Sequence, residues 1–132
     1  MKSKTPLALM EQLVMVLVFA LAAALCVSCF VTADRLSQRS AMRDEAVIAA
    51  QNAAETIKGC RGDFERAAAL LDGTLTNGIL ELRAQENICL VVTPESSGDP
   101  LLGRARVEAC ASRDGEALFA LTVFWQEVDD HE

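Results

Sequence analysis

The chain has 132 residues, 52% of them hydrophobic, and carries 12 basic against 19 acidic side chains, a formal charge of −7. That allows one small domain, and once the apolar N-terminal stretch is set aside it leaves no room for a large enzyme fold. Residues 32–132 hold 10 Lys and Arg against 18 Asp and Glu, a balance of −8 that repels phosphate backbones and argues against direct binding of nucleic acid through a basic patch.

Residues 1–6 form a short basic leader with Lys2 and Lys4. The apolar stretch beyond it includes residues 13–31, where Ser28 is the single polar residue and no charge occurs. Nineteen such residues nearly span a lipid bilayer. A basic leader stays on the cytoplasmic side, so the expected orientation is N-terminus in and C-terminal domain extracytoplasmic. The stretch is longer than the h-region of a secretory signal. Val31-Thr32-Ala33 nevertheless has small-x-small spacing and Val27-Ser28-Cys29 a lipoprotein-like one, so a cleaved signal and a lipid anchor remain alternatives to a permanent membrane helix.

Residues 7–58 contain neither Pro nor Gly, so nothing interrupts a helix that would run roughly 78 Å at the α-helical rise. The expectation is one N-terminal helix over 7–58, with a membrane span at about 13–31 and a projecting stem over 32–58. In the stem, Val47, Ala50, Ala54 and Ile57 recur at helical spacing opposite Glu45, Gln51, Asn52, Glu55 and Lys58, and this apolar stripe needs a partner. Gly59 follows the last periodic residue and can take the left-handed conformation that closes a helix.

Residues 59–132 read as a small α+β head. Asp63 is placed to cap a short helix with Phe64, Ala67, Ala68 and Leu71 on one face before Gly73. A loop is expected over 74–78, then strands over 79–83, 87–93, 101–111 and 116–126. Asp114-Gly115 signals a two-residue hairpin, and residues 94–100, with Ser96, Ser97, Gly98 and Asp99, a longer connection. Residues 118–125 are apolar on both alternations, so a single bulge would decide which face is buried. The fold class expected is α+β: a long N-terminal transmembrane-plus-stem helix followed by a small antiparallel β-sheet.

Five cysteines fall into two sets. Cys26 and Cys29 have a redox or zinc spacing, but they lie inside the apolar span without the further ligands that a structural zinc needs, and read as small packing residues. Cys60, Cys89 and Cys110 form at most one bridge. If the 94–100 connection closes symmetrically, Cys89 lies opposite Cys110, which makes that pair the preferred disulfide, with three reduced thiols as the alternative. His131 is the single histidine and sits in an acidic tail; Glu108, Asp114, Glu116, Glu127, Asp129 and Asp130 fall on strand faces, a turn and that tail. No catalytic residue, metal site or cofactor is assigned.

Glu11 interrupts the apolar run, with Leu7-Ala8-Leu9-Met10 before it and the span after it. A carboxylate there either sits with Gln12 among the headgroups or pairs with a cation in the membrane plane. Here the sequence resembles the type IV pilins and type II secretion pseudopilins. The leader MKSKTP, then Leu7-Ala8-Leu9-Met10-Glu11-Gln12-Leu13-Val14 with Glu five residues into the mature chain, then a stem and a small sheet match that family's layout over the full length, with Gln12 as a polar intruder.

The resemblance implies cleavage between Pro6 and Leu7 by a prepilin peptidase, often with methylation of the new amine. It further implies extraction from the lipid bilayer by a membrane assembly platform into a filament of other pilin or pseudopilin subunits. Glu11 would then neutralise the Leu7 ammonium of a neighbouring subunit. Pro6 occupies the place where family leaders end in Gly or Ala, Leu7 that of the usual Phe, and the span lacks a kinking Pro; these departures imply a divergent, minor subunit. The alternatives are an uncleaved single-pass membrane interaction protein pairing through its juxtamembrane helix, and a secreted or lipid-anchored binding domain. An enzyme ranks last.

Overall fold

The computed structural model describes residues 4–112 and 115–127. Two helices, α1 (Thr5–Gly59) and α2 (Phe64–Leu71), precede five strands: β1 (Thr74–Thr76), β2 (Ile79–Gln85), β3 (Ile88–Glu95), β4 (Leu102–Ala111) and β5 (Ala117–Gln126). The chain divides into two compact units, Met1–Ser40 and Ala41–Glu132.

The first unit is helical from Thr5 onward, and every described side chain in it is exposed. Its apolar stretch is long enough to cross a membrane, as expected from the unbroken composition. The helix begins two residues before the expected start, with the Ala8 N–H donating to the Lys4 carbonyl at 3.2 Å. Pro6 fits in that first turn because its missing N–H has no helical acceptor to lose.

The second unit takes the last part of α1 into its core. Ala46, Ala50, Ala53, Ala54 and Ile57 are buried there, together with Leu80, Leu82, Ile88, Leu90, Val92, Val107 and Val123 from the sheet. The stripe is therefore satisfied within the head, and it is rotated slightly from the one expected: Ala46 and Ala53 are buried while Val47 is only half-buried. Alanine explains the shift, since small side chains let the helix backbone approach the sheet and leave β-branched Val47 at the margin.

The sheet is an antiparallel meander in the order β1-β2-β3-β4-β5. Its inner face is a ladder of apolar partners: Leu80 with Val92, Leu82 with Leu90, Leu90 with Ala109, Val92 with Val107, Ala105 with Val123 and Gly103 with Trp125. A bulge in the β4–β5 pairing sets the undecided face of the last strand. Ala109 opposes Phe119 whereas Cys110 opposes Ala117, so Leu118 is the extra residue, and Val123 and Trp125 point into the core.

Three local expectations are corrected. The loop at 74–78 is a hairpin, Thr76 pairing with Ile79 across Asn77 (φ 52°) and Gly78 (φ 80°). Two left-handed residues in succession are what a tight hairpin turn of this hand requires, and the Asn-Gly pair was its signal. The β4–β5 connection is longer than two residues, running from Ala111 to Ala117; the Ala111 N–H donates to the Glu116 carbonyl at 2.9 Å, and Asp114 of the expected turn lies outside the described residues.

The third correction concerns the end of α1, where Gly59 remains helical and Arg61 takes the left-handed conformation (φ 53°). The Gly62 N–H donates to the Ile57 carbonyl and the Arg61 N–H to the Lys58 carbonyl, at 3.1 and 3.0 Å, the double closure of a Schellman end. A Cβ in that conformation is strained, so Arg61→Gly is expected to raise stability by about 0.5–1 kcal/mol and the thermal midpoint by a few degrees. A fall in the midpoint would mean that the Arg61 side chain contributes more than its backbone strain removes. The second helix is capped as expected, Asp63 Oδ1 accepting from the Arg66 N–H at 3.1 Å.

Candidate functional site

Glu11 lies in the exposed apolar part of α1, one turn beyond Leu7, so the two share a helix face. Lys4 immediately precedes the helix; Lys2 lies outside the described residues. Pro6 and Leu7, the expected cleavage pair, sit in the first helical turn, and Leu7 is 73% exposed. Among the described residues no ion pair joins Glu11 to a cation of its own chain. An acid on an exposed apolar helix segment, without an ion pair among the described residues, is neutralised by lipid headgroups, by a proton or by a cation brought to it.

The outer sheet face carries a second group. Cys89 and Cys110 are direct cross-strand partners on β3 and β4, in the register that the symmetric 94–100 connection implies. Both are free thiols in this structure, as are Cys26, Cys29 and Cys60. The Cys89 thiol is directed at Ser112 Oγ, 3.4 Å away. Burial, then the Glu108 carboxylate, then the Cys89 thiol raise the Cys110 pKa above its ordinary value, which lowers its thiolate fraction at a given pH.

Cys110 is accordingly expected to alkylate more slowly than a free cysteine at neutral pH and to catch up as pH rises through its elevated pKa. Glu108→Gln removes one of the raising charges and should speed the reaction at fixed pH. Iodoacetamide labelling followed by peptide mass spectrometry reads both rates, and a pH-independent rate would contradict the assignment.

Charged residues dress the remainder of this face. Arg104 pairs with Glu95 across the strands at 2.9 Å and lies over the Phe124 ring, 5.6 Å from its centroid, while Arg106 pairs with Glu108 at 2.8 Å. Such partly exposed pairs contribute about 0–1 kcal/mol each and chiefly set the local charge pattern. Among the described residues no group of three His, Cys, Asp or Glu side chains could hold a metal ion. Asp114, Asp129, Asp130 and His131 lie outside those residues.

One arrangement escaped the sequence reading. Trp125 is 9% exposed and lies against Gly62 and Gly103, where any Cβ would overlap the indole. Phe64 meets it edge-on at 5.9 Å and 77°. Its Nε1–H is buried without a hydrogen-bond acceptor. The available signal was a glycine inside the apolar pattern of β4, which marks a close approach. Compared with known proteins, the chain matches no family model, no curated protein and no solved structure, so its functional reading rests on its own residues.

Proposed function

We propose that the chain is a structural, minor pilin or pseudopilin subunit of a type IV pilus-like or type II secretion-like filament, assembled through its N-terminal helix. The observation that carries this reading is the combination, on the apolar part of α1, of an exposed surface and Glu11, a turn beyond Leu7 and without an ion pair among the described residues. Apolar helical surface of this extent needs lipid or sister helices to cover it. The same surface serves both when the subunit waits in the bilayer and when it docks in a filament.

Cleavage after Pro6 places an ammonium on Leu7, and Glu11 of an adjacent subunit meets it during assembly. The resulting pair contributes little net stability but penalises every register in which a charge is left alone, which is the property that helix docking into a growing filament requires. In this reading the N-terminus is cytoplasmic and the head extracytoplasmic. Pairing through the juxtamembrane stem has less support, because the stripe it would use is occupied by the head's own sheet.

Mass spectrometry of the membrane-extracted protein tests the proposal. A mature N-terminus at Leu7, with or without a methyl group on its amine, is expected. A chain beginning at Asp34, or one lipidated on Cys29, overturns it.

A further inference from the structure

Among the described residues, strand order leaves β5 at one edge of the sheet, hydrogen-bonded to β4 alone. The Glu127 N–H donates to the Leu101 carbonyl at 2.9 Å. Antiparallel alternation from that bond turns the backbone groups of Trp125, Val123, Leu121 and Phe119 toward β4 and those of Ala120, Thr122, Phe124 and Gln126 outward. All four outward residues are exposed.

Such an edge is usually protected by shortness, by proline, by charge or by a bulge. Apart from the bulge at Leu118, β5 has none of these: it runs ten residues, Ala-Leu-Phe-Ala-Leu-Thr-Val-Phe-Trp-Gln, without a charged residue or proline. The opposite edge, β1, is only three residues long. The core is also incomplete on the β5 side, since Phe119 and Leu121 face it yet remain partly uncovered, whereas Val123 is buried. An added strand would satisfy the outward amides and carbonyls and lay alternate apolar side chains over Phe119 and Leu121.

Charge selects the occupant. Glu127 follows the C-terminal end of β5, and residues 32–132 carry a balance of −8. Two copies joined through β5 would bring two surfaces of like net charge together, which opposes self-pairing, while a segment with basic ends is attracted. We infer that the β5 edge is a strand-docking site for an extended segment of a partner protein, apolar and β-branched over its paired stretch and flanked by lysine or arginine. The inference is independent of the filament reading, whose own test is the N-terminus at Leu7.

Amide hydrogen exchange of the full-length protein in detergent micelles tests it, with the peptide Lys-Lys-Val-Thr-Val-Thr-Val-Thr-Lys-Lys as probe. Without peptide, the amides of Ala120, Thr122, Phe124 and Gln126 should exchange faster than those of Phe119, Leu121 and Val123. Saturating peptide should slow the outward set by about tenfold or more. The same peptide with glutamate ends should bind about tenfold more weakly, a comparison that needs no variant. Thr122→Pro removes an outward donor without breaking a bond to β4, and should abolish peptide protection while the inward amides stay protected. Unchanged outward amides at saturation, equal binding of the two peptides, or full peptide protection in a folded Thr122→Pro variant would overturn the proposal. Protection that appears on raising protein concentration alone would overturn the choice of occupant in favour of a second copy.

Discussion

Trp125→Ala is expected to lower the stability of the head by about 3–5 kcal/mol, a large share of the margin of so small a domain. The indole fills the space between Gly62, Gly103 and Phe64, and nothing adjacent is free to collapse into the cavity: Gly62 is held at φ +79° and Gly103 lies in a paired strand. The reciprocal change makes the same point from the other side. Gly103→Ala places a methyl group inside the indole and should cost about 1–3 kcal/mol through displacement of the ring. In a Trp125→Ala background that penalty should nearly vanish, because the atoms it meets are gone. Trp125→Phe should be milder than Trp125→Ala, since it keeps a ring and removes the buried Nε1–H that has no acceptor. Urea titration of the full chain in detergent, followed by far-ultraviolet circular dichroism, measures all four. Additive penalties in the double variant would show that Gly103 is required for a reason other than the tryptophan.

The features legible in the sequence are those fixed by local chemistry. Absence of Pro and Gly over 7–58 sufficed for one helix, and Asp63 announced its capping role because an N-cap needs only a side-chain oxygen beside the first turn. The cross-strand register of Cys89 and Cys110 followed from one symmetric connection, and the groups that surround the two thiols, Glu108 and Ser112, are sequence neighbours of Cys110. What tertiary packing decides was hidden. Arg61 rather than Gly59 ends α1 because the next residue, Gly62, is committed to the tryptophan, and Leu118 bulges because the alternation of β5 is indifferent to which side is buried. Glu11 was conspicuous as an acid in an apolar run. The open edge of β5 follows from the meander order of the strands, which the short connections between successive strands already suggested.

On the proposed filament function, Glu11→Ala is expected to raise the amount of protein retained in the membrane while nearly eliminating its incorporation into the filament. The two effects have opposite signs because the carboxylate has opposite consequences in the two places. Alone on an exposed apolar helix it disfavours bilayer residence by about 2.5–3.5 kcal/mol on insertion scales, so its removal eases insertion. In the proposed filament the same removal would leave the Leu7 ammonium of the neighbour without its counter-charge. A comparable penalty at about 1.4 kcal/mol per factor of ten reduces incorporation roughly a hundredfold. Glu11→Gln distinguishes charge pairing from a simple polar contact: it retains hydrogen-bonding capacity but not charge, and should fail nearly as completely as alanine, whereas Glu11→Asp should retain part of the function. Quantitative immunoblots of the sheared filament or secreted fraction against the membrane fraction give both signs in one experiment, with protease resistance of the head as the check on folding, since Glu11 lies in the other compact unit. Normal incorporation of Glu11→Ala would remove the ion pair from the assembly mechanism and leave an uncleaved, single-pass interaction protein as the better description of the chain.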